Sequence, residues 1–247
     1  MKANNLKKNR MPRLKRFSDG ESFLSEKTLK RNNILLFAAL FILIFLRPLL
    51  SFVENSVIVF NVSLSLLILS GVSSLDFDKR KMLRLSYAAL FSLALIWLDF
   101  FISSLELHFI NFIALILFFI YITYSMIHHV AKQKRISPTL ILNAVNSYLL
   151  LGVISAMLFL LSDIIYQFAN GVKNATISFG YTNSPTLFDY VYFAFITMTT
   201  VGYGEATPAV PLTKSLAMLT ALTAQLYLTI LVAMLVSKFL SQENDGE

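Results

Sequence analysis

The chain has 247 residues, of which 56% are hydrophobic and only 14% charged; its formal charge is +7 and it has no cysteine. So few charges exclude a soluble domain of ordinary composition, which must keep a wetted surface, and the lack of thiols excludes a disulfide framework or a thiolate metal site. The positive charge would suit nucleic acid, but it is concentrated at alternate junctions between apolar runs, the pattern of loops on one side of a membrane, and no nucleic-acid partner is expected.

Residues 1–33 are basic and polar, with ten of the 21 Lys and Arg residues lying before Asn32. They lack the short apolar core and small-residue cleavage site of a signal peptide, so a basic cytoplasmic segment is expected. Its Lys7–Arg16 stretch suits contact with anionic lipid, although setting topology is enough to explain it. Four apolar runs follow, Ile34–Phe52, Ser56–Ser74, Leu85–Ser104 and Leu107–His128, each long enough to span a bilayer and bounded by charge, Asn or Pro. They define an expected four-span domain over 34–130. A cytoplasmic linker over 131–138 leads to a second unit over 139–240, whose two spans are Thr139–Phe168 and Leu212–Leu240. Residues 241–247 form a cytoplasmic tail, and no regulatory module is expected after that unit. With six spans alternating, the clusters Lys79–Arg84 and Lys132–Arg135, together with Lys238, fall on the same side as the N-terminus.

Leu107–His128 contains no Lys or Arg. A span without fixed charge gains none of the ~2.3 kcal/mol per charge per 100 mV that drives steep voltage gating. Arg47 and Asp99 both fall in the outer part of their spans, where an unpaired charge is costly. Pairing of the two, tying the first span to the third, stands equal with snorkelling of each to the interface. His108, His128 and His129 have no second cluster of ligands at matching depth and are expected to be satisfied or interfacial rather than metal-binding. Asn174-Ala-Thr176 is a formal glycosylation acceptor, meaningful only in a secretory pathway.

The stretch from Asn183 to Pro211 departs from one span per apolar run. Pro185 and Thr186-Leu-Phe-Asp189 read as a capping-box-like opening in which Thr186 caps free N–H groups. Tyr190–Thr199 is an apolar helix too short to cross, and Pro208 and Pro211 stop any helix beyond it. A half-span helix with an extended return is a re-entrant loop, which persists at membrane depth only when buried by protein or lining a wet cavity. Its return is Thr200-Val201-Gly202-Tyr203-Gly204. An ion leaving water must exchange its hydration shell for protein oxygens at little net cost, and alternating glycines let backbone carbonyls turn toward one axis. The carbonyls of Thr200, Val201, Gly202 and Tyr203, with the Thr200 hydroxyl innermost, are expected to stack as successive rings of ion ligands. One strand covers only part of an ion, and four related by rotation close the cage.

The segment Thr197-Met-Thr-Thr-Val-Gly-Tyr-Gly-Glu-Ala-Thr-Pro208 resembles the signature of the potassium channel family through pore helix, filter and exit. Gln225-Leu-Tyr-Leu-Thr-Ile-Leu-Val-Ala-Met234 resembles bacterial two-span ion-channel domains. The resemblance implies an all-α membrane protein of six transmembrane helices with a re-entrant pore helix, acting as a homotetramer in a plasma membrane, here a bacterial inner membrane. It implies filter support from Tyr192, Thr199, Asp189 and Glu205, with Tyr203 reaching Tyr192 or Thr199. It places Ala224 where relatives carry a hinge glycine, and Leu228 and Val232 on the cavity wall. Thr223 or Gln225 would lie nearer the filter, unless Gln225 and Tyr227 bond a neighbouring helix. The glutamate and aspartate that many members pair behind the filter correspond to Ile196 and Glu205 here, so that carboxyl pair is missing. The expectation is a passive potassium-selective channel, not an enzyme, needing no cofactor beyond K⁺ as the permeant ion. The alternatives are a weakly selective cation channel and a transporter or assembly subunit without its own conductance.

Overall fold

The computed structural model describes residues 26–46, 56–75, 79–102, 104–133, 135–170, 176–182 and 184–244. Residues 1–25, Arg47, Asn174 of the glycosylation acceptor and the last three residues of the tail lie outside the described residues. Seven α-helices and two short strands succeed one another along the chain among them. They are α1 (Glu26–Phe41), continued by a π-helical turn over Ile42–Leu46, α2 (Ser56–Ser73), α3 (Lys79–Ile102), α4 (Leu105–Lys132), α5 (Pro138–Asn170), β1 (Ile177–Phe179), α6 (Leu187–Met198), β2 (Ala206–Pro208) and α7 (Pro211–Asn244). Among the described residues α1, α3, α4, α5 and α7 are long and apolar enough to cross a membrane. The 18 residues of α2 reach ~27 Å at 1.5 Å per residue, just short of a hydrocarbon core ~30 Å thick. The chain is an all-α, multi-pass membrane protein.

Helix ends lie beyond the apolar runs. α1 starts at Glu26 and carries Lys27, Lys30 and Arg31, and α7 continues to Asn244. Hydropathy marks where the bilayer ends; backbone hydrogen bonding marks where the helix ends, and a helix leaving lipid for water has no reason to stop at the interface. Local chemistry sets the starts. Ser104 caps α4, its hydroxyl accepting from Leu107 N–H at 3.2 Å, and Ser137 does the same for Leu140 N–H at 3.2 Å. Pro138 and Pro211 open α5 and α7 at the first helical position, where a missing N–H costs nothing.

One continuous apolar core runs from α1 through α6; in its first part Leu36, Leu40, Leu67, Ile68, Leu115, Phe119, Ile122 and Met126 are fully buried. Helices α1 and α4 bring this part against α5. α4 lies directly against α5, and the connection between them is only Gln133–Ser137. A polar seam ties α1 to α5 and to the end of α2. The Asn146 amide donates to Asn33 O at 3.0 Å, the Asn33 amide to Ser74 O at 3.2 Å, and the Asn32 amide to Ser73 O at 2.8 Å. Such buried bonds have no water to compete with them, so they fix which faces meet.

Asp99 is buried and joins α3 to α4. Its carboxylate lies 2.6 Å from His108 Nδ1 and accepts from the Asn111 amide at 3.0 Å. The expected partner Arg47 is outside the described residues, so α3 is seen bonded to its neighbour in sequence. His128 stacks on Tyr124, and a His129 ring nitrogen lies 2.7 Å from the Gln133 amide.

Candidate ion-conducting site

The short helix α6 is held at its start by a carboxylate. Asp189 Oδ2 accepts from the Thr186 backbone N–H at 2.6 Å and from its hydroxyl at 2.9 Å. The expected capping box forms between Thr186 and Asp189; the Thr186 hydroxyl also donates to the Asp189 carboxylate, and the acid in the first turn faces the positive end of the helix dipole. The other Asp189 oxygen accepts from the Tyr181 hydroxyl at 3.0 Å, fastening the loop after β1 to the helix. Partial burial and then that hydrogen bond push the Tyr181 phenol well above its ordinary pKa, so it remains a neutral donor.

Behind the same helix lies a polar hub centred on Asp163 of α5. Its carboxylate accepts the Tyr190 hydroxyl from α6 and the Thr176 hydroxyl, and it accepts the Thr176 N–H at 2.6 Å. The Ser162 and Thr176 hydroxyls meet at 2.9 Å. Thr176 O in turn accepts from the Thr213 hydroxyl at 2.8 Å and from Ala209 N–H at 2.9 Å. Tyr190, Thr176, Ser162 and Thr213 are all buried. α6 and the lead into β1 therefore converge on one carboxylate of α5, and α7 joins them through the Thr176 carbonyl. Sequence reading missed Asp163, although an acid inside an apolar span was the available signal.

At its other end α6 hands its terminal carbonyls to the return segment. Thr199 N–H and its hydroxyl donate to Phe195 O at 2.9 and 2.7 Å. Ile196 O accepts from both Val201 N–H at 2.9 Å and Gly202 N–H at 3.2 Å. Normally the last carbonyls of a helix await water or a cap; here the return segment itself is the cap. Backbone φ is +62° at Thr200, +52° at Gly202 and +94° at Gly204. Glycine adopts this left-handed region freely. Thr200, β-branched, occupies it against its preference, which marks a strained position of the kind found at functional sites.

Beyond the glycines the chain turns back through β2, which pairs antiparallel with β1 in the register Ile177–Pro208, Ser178–Thr207 and Phe179–Ala206. Gly180 N–H donates to Glu205 O at 2.7 Å. The Glu205 carboxylate accepts the Tyr192 hydroxyl, joining the mouth of the segment to the body of α6. Tyr203 was expected to reach Tyr192 or Thr199. Within one chain no hydrogen bond joins them: Tyr203 is 73% exposed, the Tyr192 hydroxyl is given to Glu205 and the Thr199 hydroxyl to Phe195 O. All five residues from Thr200 to Gly204 are exposed in the single chain.

The support continues outward. Phe193 stacks edge-on against Phe159 of α5 at 4.9 Å between ring centres, and the ring of Phe195 sits over Gly152 of α5, where an added Cβ would collide with it. α7 flanks the segment with little cover of its own, only 11% of its most apolar stretch being buried. Ala224 is buried, whereas Leu228 and Val232 are open; of the three residues expected at cavity or gate, the chain alone leaves only the latter two free. Thr223 and Gln225 are exposed, and the Tyr227 hydroxyl bonds Ala144 O of α5 at 2.7 Å. Near the far end of α7, Lys238 Nζ donates to Val130 O at 2.6 Å, at the C-terminal end of α4, where a cation is favoured.

A half-span helix, its end capped by a glycine-bearing return, is thus set between two full spans. Residues 148–241 match the family described as Ion channel, which supports an ion-channel role for this part of the chain. No curated protein and no solved structure matches the chain.

Proposed function

We propose that the chain is one subunit of a homotetrameric, potassium-selective channel that conducts passively across a bacterial plasma membrane, with both termini cytoplasmic. The observation that carries this reading is the left-handed backbone at Thr200, Gly202 and Gly204 in a segment tied by its amides to the end of α6. Positive φ at spaced positions re-aims successive peptide planes, and a row of carbonyls directed to one axis can stand in for the water around K⁺. One such row is open on three sides, and the exposure of Thr200–Gly204 in the single chain is the surface that three further copies would enclose. A fourfold arrangement also gives Tyr203 a neighbouring subunit to contact and covers one face of α7, whose exposed Leu219, Leu222, Leu226 and Ile230 otherwise meet only lipid.

In this arrangement Leu228 and Val232 line the cavity below the filter, and Glu205 at the outer mouth draws cations toward it. The division of the chain into a four-span domain over 34–130 and a pore domain over 139–240 belongs to the same reading. The first four spans carry no regular array of charges and sit against their own pore rather than acting as a voltage sensor. Purified protein in vesicles tests the proposal: potassium flux blocked by barium and little sodium flux are expected, and equal sodium and potassium flux would overturn the selectivity.

A further inference from the structure

Away from the pore, α3 and α4 diverge to leave a groove of about 650 Å³, open along its length. Its walls are apolar, formed by Leu85 and Phe91 of α3 and Ile113 and Leu117 of α4, while Lys81 and Arg84 stand at one end. From Lys81 to Ser92 the α3 wall rises about 17 Å at 1.5 Å per residue, close to one leaflet of a ~30 Å hydrocarbon core. Phe91 is 60% exposed, and among the described residues no carboxylate pairs with Lys81 or Arg84. Both cations lie in the first turns of α3, where the helix dipole is itself positive and the described first turn carries no acid.

We infer that this groove binds an anionic phospholipid, its headgroup on Lys81 and Arg84 and one acyl chain along α3 and α4. The charge selects the lipid: an apolar slot alone would accept any chain, but two cations at its mouth, without a carboxylate partner among the described residues, favour a phosphate that carries a net negative charge. The orientation proposed above makes the occupant a lipid of the cytoplasmic leaflet, and the inference rests on that orientation for the leaflet alone.

Trp97 is the only tryptophan, so the F91W/W97F variant reports from within the groove. In vesicles, full-length protein carrying this pair should be quenched more strongly by brominated phosphatidylglycerol than by brominated phosphatidylcholine. The expected preference is about tenfold, since two interfacial cations attract one anionic headgroup. It should disappear on adding K81Q and R84Q. Equal quenching by the two lipids with the native charges present would overturn the inference. So would quenching by neither, which would mean that protein covers the groove. Because the chain has no cysteine, K81C gives a single label site for a membrane-impermeant thiol reagent. Labelling from outside whole cells would overturn the orientation while leaving the lipid preference standing.

Discussion

Gly152 faces the ring of Phe195 so closely that a methyl group there would lie 2.4, 2.7 and 2.9 Å from three of its carbons. Ordinary carbon contacts are about 3.5–4.0 Å, so G152A requires the ring, or the helix that carries it, to move by about an ångström. Overpacking of this kind costs about 1–3 kcal/mol. In an open helix the same change would stabilise by about 0.5–1 kcal/mol, so the sign alone discriminates. The strain would fall on the filter, because Phe195 O holds Thr199 and the next carbonyl, Ile196 O, holds Val201 and Gly202. G152A should therefore lower the thermal stability of the purified protein and reduce its K⁺ preference in vesicle flux, and F195L, which removes the ring, should restore stability in the double variant. A G152A protein more stable than the parent, or one that F195L fails to rescue, would refute the close contact and its link to the filter.

Other sites make separate demands. D163A should destabilise the protein by several kcal/mol in thermal unfolding, since it strands the buried Tyr190 and Thr176 donors, each about 1–3 kcal/mol when left unpaired. Y192F, which removes only the hydroxyl that bonds Glu205, should leave assembly intact and shorten the conducting periods of single channels; unchanged dwell times would deny that contact a role at the mouth. K238M removes a donor from the carbonyls at the end of α4 and should change open probability without changing ion preference in bilayer recordings.

Much of the short helix and its return segment was legible in sequence because their chemistry is local. A ten-residue apolar segment between prolines is too short to cross, and glycines at 202 and 204 announce positive φ whatever surrounds them. Thr200 shows where local reasoning stops: threonine gives no hint of a left-handed backbone, which is held by its own amide on Thr197 O and by the next two amides on Ile196 O. The Asp163 hub was illegible for another reason. Its members are separated by 13 and 27 positions along the chain, and nothing in hydropathy reveals which polar groups a fold will bring together. The strands β1 and β2 are three residues each, too short for an alternating pattern to emerge. At the membrane ends, hydropathy located the apolar runs but not the helices, because backbone bonding continues past the lipid boundary in α1 and α7.

Reversal potentials test the potassium claim most directly. With the purified protein in a planar bilayer, a tenfold K⁺ gradient should move the reversal potential by close to 59 mV, the limit for one monovalent ion, and an equal Na⁺ gradient should move it little. G202A, which places a side chain on a residue at φ +52°, should abolish that distinction or the current itself. A parent channel that responds equally to both gradients, or a G202A channel with unaltered current and ion preference, would contradict the account.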